Sequence, residues 1–158
     1  MGNKIILVGA GCSGKDHLRH KLQNKGYNYS ISYTTRPPRE NETDGIDYWF
    51  VNDEYFKNLI DNDGLLEYDC FNGWYYGSAK DAWEKYDLFI LTPPGVAKLS
   101  TEQRKESTII YLNVEAVVRE RRLSKRRDAD LVTRRLLADY EMFKGFTEYD
   151  ILIRNEDF

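Results

Sequence analysis

The run Gly9-Ala10-Gly11-Cys12-Ser13-Gly14-Lys15-Asp16 follows directly on the apolar residues Ile5-Ile6-Leu7-Val8. Residue types at this spacing can wrap a phosphate. Glycines let backbone N–H groups approach the anion, Lys15 neutralises it, and the N-terminus of a following helix adds its dipole. Gly9, Gly11, Cys12, Ser13, Gly14 and Lys15 are thus candidates for holding the β and γ phosphates of a donor nucleotide. The pattern asks for a Ser or Thr hydroxyl after the lysine to hold magnesium, and Asp16 stands there instead. Two readings of Asp16 stay open: a direct or water-mediated ligand of Mg2+, or a helix-start residue favoured by the dipole. A carboxylate with no compensating charge would repel a triphosphate, which argues for the metal. His17 and His20 read as solvated helix residues, and Cys12 as a small loop residue rather than a nucleophile.

Two further groups could meet phosphate. Ser32-Tyr33-Thr34-Thr35-Arg36-Pro37-Pro38-Arg39 presents two arginines three apart around a stiff proline pair, which suits a dianion. Between Arg119 and Arg135 the chain crowds arginines, and positive forks suit a transition state whose charge is spread over several oxygens. A solvated helix or a nucleic-acid-binding helix would carry the same residues. The net charge of -3 gives no overall attraction to nucleic acid, so no such partner is expected.

The elements that must position these groups are legible in outline. At 158 residues the chain suits one domain. Ile5 to Val8 reads as a central strand buried on both faces of a parallel sheet. Leu18 and Leu22 lie on one side of a helix that opens near Lys15 and that Gly26 can end. Tyr86 to Leu91, Thr108 to Val114 and Asp150 to Ile153 are further strands, and the alternation with helical sequence predicts an α/β fold. From Ser32 to Ser78 the character changes to prolines, acidic loops and aromatic clusters, as in an inserted subdomain. Within it Glu54 to Ile60 reads as a short helix with Phe56, Leu59 and Ile60 inward. Two cysteines give neither a disulfide framework nor a metal-ligand spacing. No apolar stretch approaches a membrane span, and Ile5 to Val8 is too short for a signal-peptide core, so a cytoplasmic protein without a membrane partner is expected.

Taken in order, Ser32 to Arg39, Asp44-Gly45-Ile46-Asp47-Tyr48-Trp49-Phe50-Val51, Leu66-Glu67-Tyr68 and Gly73-Trp74-Tyr75-Tyr76-Gly77-Ser78 resemble the nucleotide-binding segment of the guanylate kinase family. Weaker similarity runs from the first strand to Asn155. The resemblance implies one domain, 1–158, with a P-loop NTPase fold. Its parts would be a parallel sheet core flanked by helices (1–31, 81–119 and 138–158), an inserted mixed α/β part that binds GMP (32–80) and a short helical lid (120–137). It implies transfer of the ATP γ-phosphoryl group to GMP or dGMP with Mg2+, by a monomer or a homodimer. By position, Arg36, Arg39, Tyr48 and Tyr76 would hold the acceptor phosphate, while Ser32, Glu67, Ser78 and Thr92 would meet the nucleoside. The chemistry agrees: one carboxylate can accept both N1–H and the 2-amino group of guanine, whereas adenine has no donor at N1. Lys15, Arg36, Arg122, Arg126 and Arg135 would supply the catalytic positive charge, and Asn155 would approach the adenine of ATP.

The family pattern Asp-x-Asp-x-x-Gly reads here Ile90-Leu91-Thr92-Pro93-Pro94-Gly95, so both acidic residues are gone and the proline pair is expected to fix a different backbone. Asp16 could supply the missing acidic group. A related kinase of a sugar bisphosphate carries a similar Gly-Lys-Asp loop, and scaffold proteins carry a non-catalytic relative of this domain. Both are alternative readings. Members usually continue into a C-terminal helix beyond the position of Phe158, which implies a trimmed core.

Overall fold

The computed structural model describes residues 4–125 and 132–155. In chain order they form β1 (Lys4–Gly9), α1 (Lys15–Asn24), β2 (Tyr33–Thr34), β3 (Trp49–Phe50), α2 (Asp53–Asp61), β4 (Leu65–Phe71), β5 (Trp74–Ala79), α3 (Ala82–Lys85), β6 (Leu88–Ile90), α4 (Pro93–Ala97), α5 (Thr101–Lys105), β7 (Ser107–Leu112), α6 (Ala116–Ser124), α7 (Val132–Phe143) and β8 (Ile151–Ile153). Arg126 lies outside the described residues, and of Arg135 only its place on α7 is described.

The first sheet has the order β6-β1-β7-β8 and is parallel throughout. Strand β1 has neighbours on both sides and helices over both faces, which is why Ile5 to Val8 is apolar without alternation. Ile6 and Val8 join Phe89, Ile109, Tyr111 and Trp83 on one face, while Leu7 and Leu88 meet Leu18 and Leu22 of α1 and Tyr29 on the other. Helix α1 ends as its glycine suggests: Gly26 has φ 100°, its N–H donates to Gln23 O, and Tyr27 N–H donates to Leu22 O. Those bonds satisfy carbonyls that the last turn leaves without partners.

The second sheet, β3-β2-β5-β4, is built from the inserted segment. Asn72 and Gly73 both have positive φ, 55° and 85°, the geometry of a two-residue hairpin turn matched to strand twist. A register shift between Leu65 and Glu67 sets Glu67 opposite Ser78. Helix α2 is capped by Asn52, whose side chain accepts from Tyr55 N–H at 2.8 Å, and it buries Phe56. Pro93 and Pro94 open helix α4 at its first positions, where a backbone N–H has no intrahelical acceptor, and Thr92 caps it by accepting from Gly95 N–H at 3.2 Å. The proline pair thus starts a regular element.

Helices α6 and α7 are pinned over the sheet from two directions. Phe143 stacks on Tyr111 with centroids 5.7 Å apart, and Phe146 and Tyr149 pack on the same ring. Arg119 donates to Val114 O at 3.1 Å and to Asp139 at 3.4 Å, so a mostly buried ion pair joins α6 to α7. Among the described residues no helix is long and apolar enough to cross a membrane.

The turn after β1 tolerates no side chain at Gly9. A Cβ there would lie 2.4 Å from Ser13 Oγ and 3.0 Å from Leu112 O. Gly9→Ala should lower stability by about 1–3 kcal/mol. Val117→Ala, at a position 60% exposed, should stay within about 0.5 kcal/mol of the parent. Urea unfolding checks both, and equal stability of Gly9→Ala and the parent would contradict the close approach.

Candidate active site

Between β1 and α1 the backbone curls through two left-handed residues, Cys12 at φ 62° and Gly14 at φ 99°. The N-cap Gly14 offers no side chain, so the first-turn N–H groups of α1 have no side-chain cap. They form, with the loop amides, a concave donor set suited to an anion. Lys15 Nζ folds back to donate to Gly9 O at 2.6 Å. Arg122 of α6 reaches across 110 positions to donate to Cys12 O at 3.0 Å, which brings a lid candidate onto the phosphate loop.

Arg36 is buried, and its fork donates to Glu42 at 2.8 and 2.9 Å. Glu42 also accepts from Arg39 N–H at 2.7 Å and lies 3.9 Å from Arg39 NH1. Burial opposes the charge of Glu42, but the Arg36 fork and the Arg39 amide outweigh it and hold the carboxyl below its ordinary range. The Arg36 guanidinium rests 5.4 Å from the Tyr48 ring centre, and its Nε is buried without a hydrogen-bond partner among the described residues. A buried donor left without a partner is costly, and an added acceptor would satisfy it. Tyr48 packs edge-on against Tyr76, with centroids 6.1 Å apart. Burial first, then Tyr76, pushes the Tyr48 hydroxyl up to about 12, so it stays a donor near neutrality.

Glu67 is the unusual group. It is 6% exposed, and Ser78 Oγ donates to its Oε1 at 2.9 Å. Gly95 of α4 closes over its other oxygen, since a Cβ there would lie 2.9 Å from Oε2. Desolvation raises the carboxyl to about 7, against the weaker opposing pull of Ser78 and Lys98.

A single cleft gathers most of the expected residues: Gly9, Gly11 and Lys15 from the loop, with Ser32, Arg36, Arg39, Tyr48, Glu67, Tyr76 and Thr92. Ser78 is buried behind Glu67 and does not line it. Asp16 is 75% exposed and off the lining, and Asn155 is exposed just past β8. The carboxylate of Asp16 is also not uncompensated, because Arg19 Nε donates to its Oδ1 at 3.3 Å. Sequence reasoning missed Glu42, Asp69, Asp139 and Arg19. Glu42 follows Arg39 by three and could have been found by its charge; Asp139 finds its partner Arg119 only through the packing of α7 on α6. Among the described residues no group of three His, Cys, Asp or Glu side chains could hold a metal on its own.

The guanylate kinase family model matches residues 1–158. The chain is 33% identical over 165 residues to a guanylate kinase of Helicobacter pylori, covering 98% of this chain and 80% of that protein. It is 32% identical over 166 residues to a guanylate kinase of Bacillus anthracis, covering 98% and 81%. A crystal structure of guanylate kinase from Anaplasma phagocytophilum matches with a TM-score of 0.77 at 25% identity, covering 99% of this chain and 78% of that one.

The raised carboxyl of Glu67 makes a signed prediction. Between the ordinary glutamate value of 4.5 and about 7 the folded state holds a proton that the unfolded state has lost, so stability falls as pH rises across that window. The fall should be at most about 3 kcal/mol. Glu67→Gln keeps an acceptor for Ser78 and should remove this part of the slope, as read by urea unfolding at several pH values. An unchanged slope would mean that Glu67 ionises as freely as an exposed glutamate.

Proposed function

The chain belongs to the guanylate kinase family, and from this we infer that it moves the γ-phosphoryl group of ATP onto GMP or dGMP, giving GDP or dGDP. The observation that carries the reading at the level of residues is the cleft that joins the Lys15 loop to a buried carboxylate. We assign the donor phosphates to Gly9, Gly11, Cys12, Ser13, Gly14 and Lys15, the acceptor phosphate to Arg36, Arg39, Tyr48 and Tyr76, and the guanine edge to Ser32, Glu67, Ser78 and Thr92. The orphaned Nε of Arg36 supports the acceptor assignment. For Glu67 the support is its seclusion: guanine would bring two further donors to a buried carboxylate whose hydrogen bonds, among the described residues, come from Ser78.

Catalysis in this reading is positioning and charge neutralisation. An acceptor phosphate is already an anionic nucleophile, so no general base is required. Lys15 and Arg122 lie at the loop, where negative charge would build up on the transferring group, and Arg126 and Arg135 are proposed to join them on closure. Residues 32–80 would act as the acceptor part and 120–137 as the lid, together excluding water from the reaction. Asn155 is kept as the contact to the donor adenine, on its place two residues after β8.

The donor set fits magnesium, which keeps several waters and needs few protein oxygens beside the phosphates. Asp16 would hold it, since among the described residues Arg19 bonds to its Oδ1 and leaves Oδ2 to the exposed side. Bound magnesium supplies neutralisation of the phosphate oxygens. Cys12 and Cys70 are both free thiols, which fits the reducing cytoplasm we propose as its location.

A coupled assay with ATP and a panel of GMP, dGMP, AMP, UMP and ribose bisphosphate tests the reading. Turnover is expected with the guanine nucleotides. Turnover of ribose bisphosphate alone, or no turnover and no ATP binding, would overturn it. The kcat/KM for GMP should rise with pH through about 7 as Glu67 ionises. Glu67→Gln should lose that rise and about tenfold to a hundredfold in kcat/KM for GMP. A full pH profile and full GMP preference in this variant would remove Glu67 from guanine recognition.

A further inference from the structure

Arg19 sits on α1, one turn after the phosphate loop, and it is 3% exposed. A guanidinium so deeply placed is costly unless its donors are satisfied and its charge is balanced. Its partners come from both halves of the site. Nε donates to Asp16 Oδ1 at 3.3 Å, and NH2 lies 3.7 Å from Asp47 Oδ1. NH1 donates to Gln23 at 3.4 Å, NH2 lies 3.4 Å from His20 Nε2, and the guanidinium covers the Tyr29 ring at 4.6 Å. Asp47 is itself built into the acceptor segment, since its Oδ2 accepts from Thr43 N–H at 2.8 Å.

The two carboxylates have telling neighbours. Asp16 follows Lys15, which lines the cleft from the loop, and Asp47 precedes Tyr48, which lines it from the acceptor side. We propose that Arg19 is a positioning residue that cancels the charge of Asp16 beside the donor phosphates and, through Asp47, holds the Tyr48 segment in register with the phosphate loop. This rests on the kinase reading above. It explains how a carboxylate is tolerated where the loop pattern asks for a hydroxyl: the helix carries the compensating cation three residues later, on the same face. The pair with Asp16 contributes little to stability at so exposed a carboxylate. Its effect is on the field felt by a bound anion.

The test separates the two arms. ATP affinity is measured by calorimetry with magnesium present and no acceptor, KM for GMP by coupled assay, and folding by thermal melting. Arg19→Met should weaken ATP binding about tenfold and raise the KM for GMP. Adding Asp16→Ser should restore ATP affinity to within about threefold, because a hydroxyl can still meet magnesium but carries no charge for a guanidinium to cancel, while the raised KM for GMP persists. Asp47→Asn leaves the buried cation in place, so it carries the test if Arg19→Met does not fold. It should raise the KM for GMP with ATP affinity unchanged. ATP affinity in a folded Arg19→Met equal to the parent, a double variant without rescue, or an unchanged KM in Asp47→Asn would overturn the inference. If the parent chain binds no ATP, the kinase reading fails instead.

Discussion

The carboxylate of Glu67 is held out of water with Ser78 donating to it, and burial outweighs that support. A carboxylate in such a place either takes a proton or waits for donors. The register shift in β4 aims it at Ser78, and the absent side chain of Gly95 lets α4 close over its second oxygen. Any residue with a Cβ at position 95 would push the carboxylate out of its seat. In the proposed reading the pocket would discriminate by this demand: a ligand must bring donors to profit from the ionised form, and guanine has two adjacent ones at N1 and the 2-amino group.

The cations of the site are treated in the opposite way. Arg36 is forked onto Glu42 and stacked against Tyr48, and Arg19 is shared between Asp16 and Asp47. Each guanidinium is thereby fixed in direction before any ligand arrives. Cations fixed in this way need no reorganisation when a ligand arrives. The parallel sheet supplies the rigid base, ending β1 where the loop must begin and β6 where Thr92 and α4 approach Glu67.

Much of this was legible in the chain. The apolar run Ile5 to Val8, the glycine loop and the Leu18/Leu22 spacing specify strand, turn and helix locally, and each formed as read. The arginine pair could be read because its spacing carries chemistry, and Tyr48 and Tyr76 only through the family resemblance. What stayed hidden depends on contacts far apart in the chain. Arg19 looked like an ordinary helix residue until Asp47, twenty-eight positions on by the numbering, came beside it. The Arg119–Asp139 pair needs α7 to be docked by Phe143 on Tyr111, which no local pattern announces. Pro93 and Pro94 stand at the first positions of α4, where proline suits the first turn of a helix, and Thr92 supplies the cap.

The central claim is that Glu67 waits as a carboxyl near neutrality and meets guanine as a carboxylate. Carbon-detected NMR titration of its side chain, with and without GMP, tests this most directly. A midpoint near 7 in the free protein that drops well below the ordinary glutamate range with GMP bound is the predicted result, since hydrogen bonds to the ionised form favour it. A midpoint that GMP leaves unmoved, or moves upward, would contradict the account.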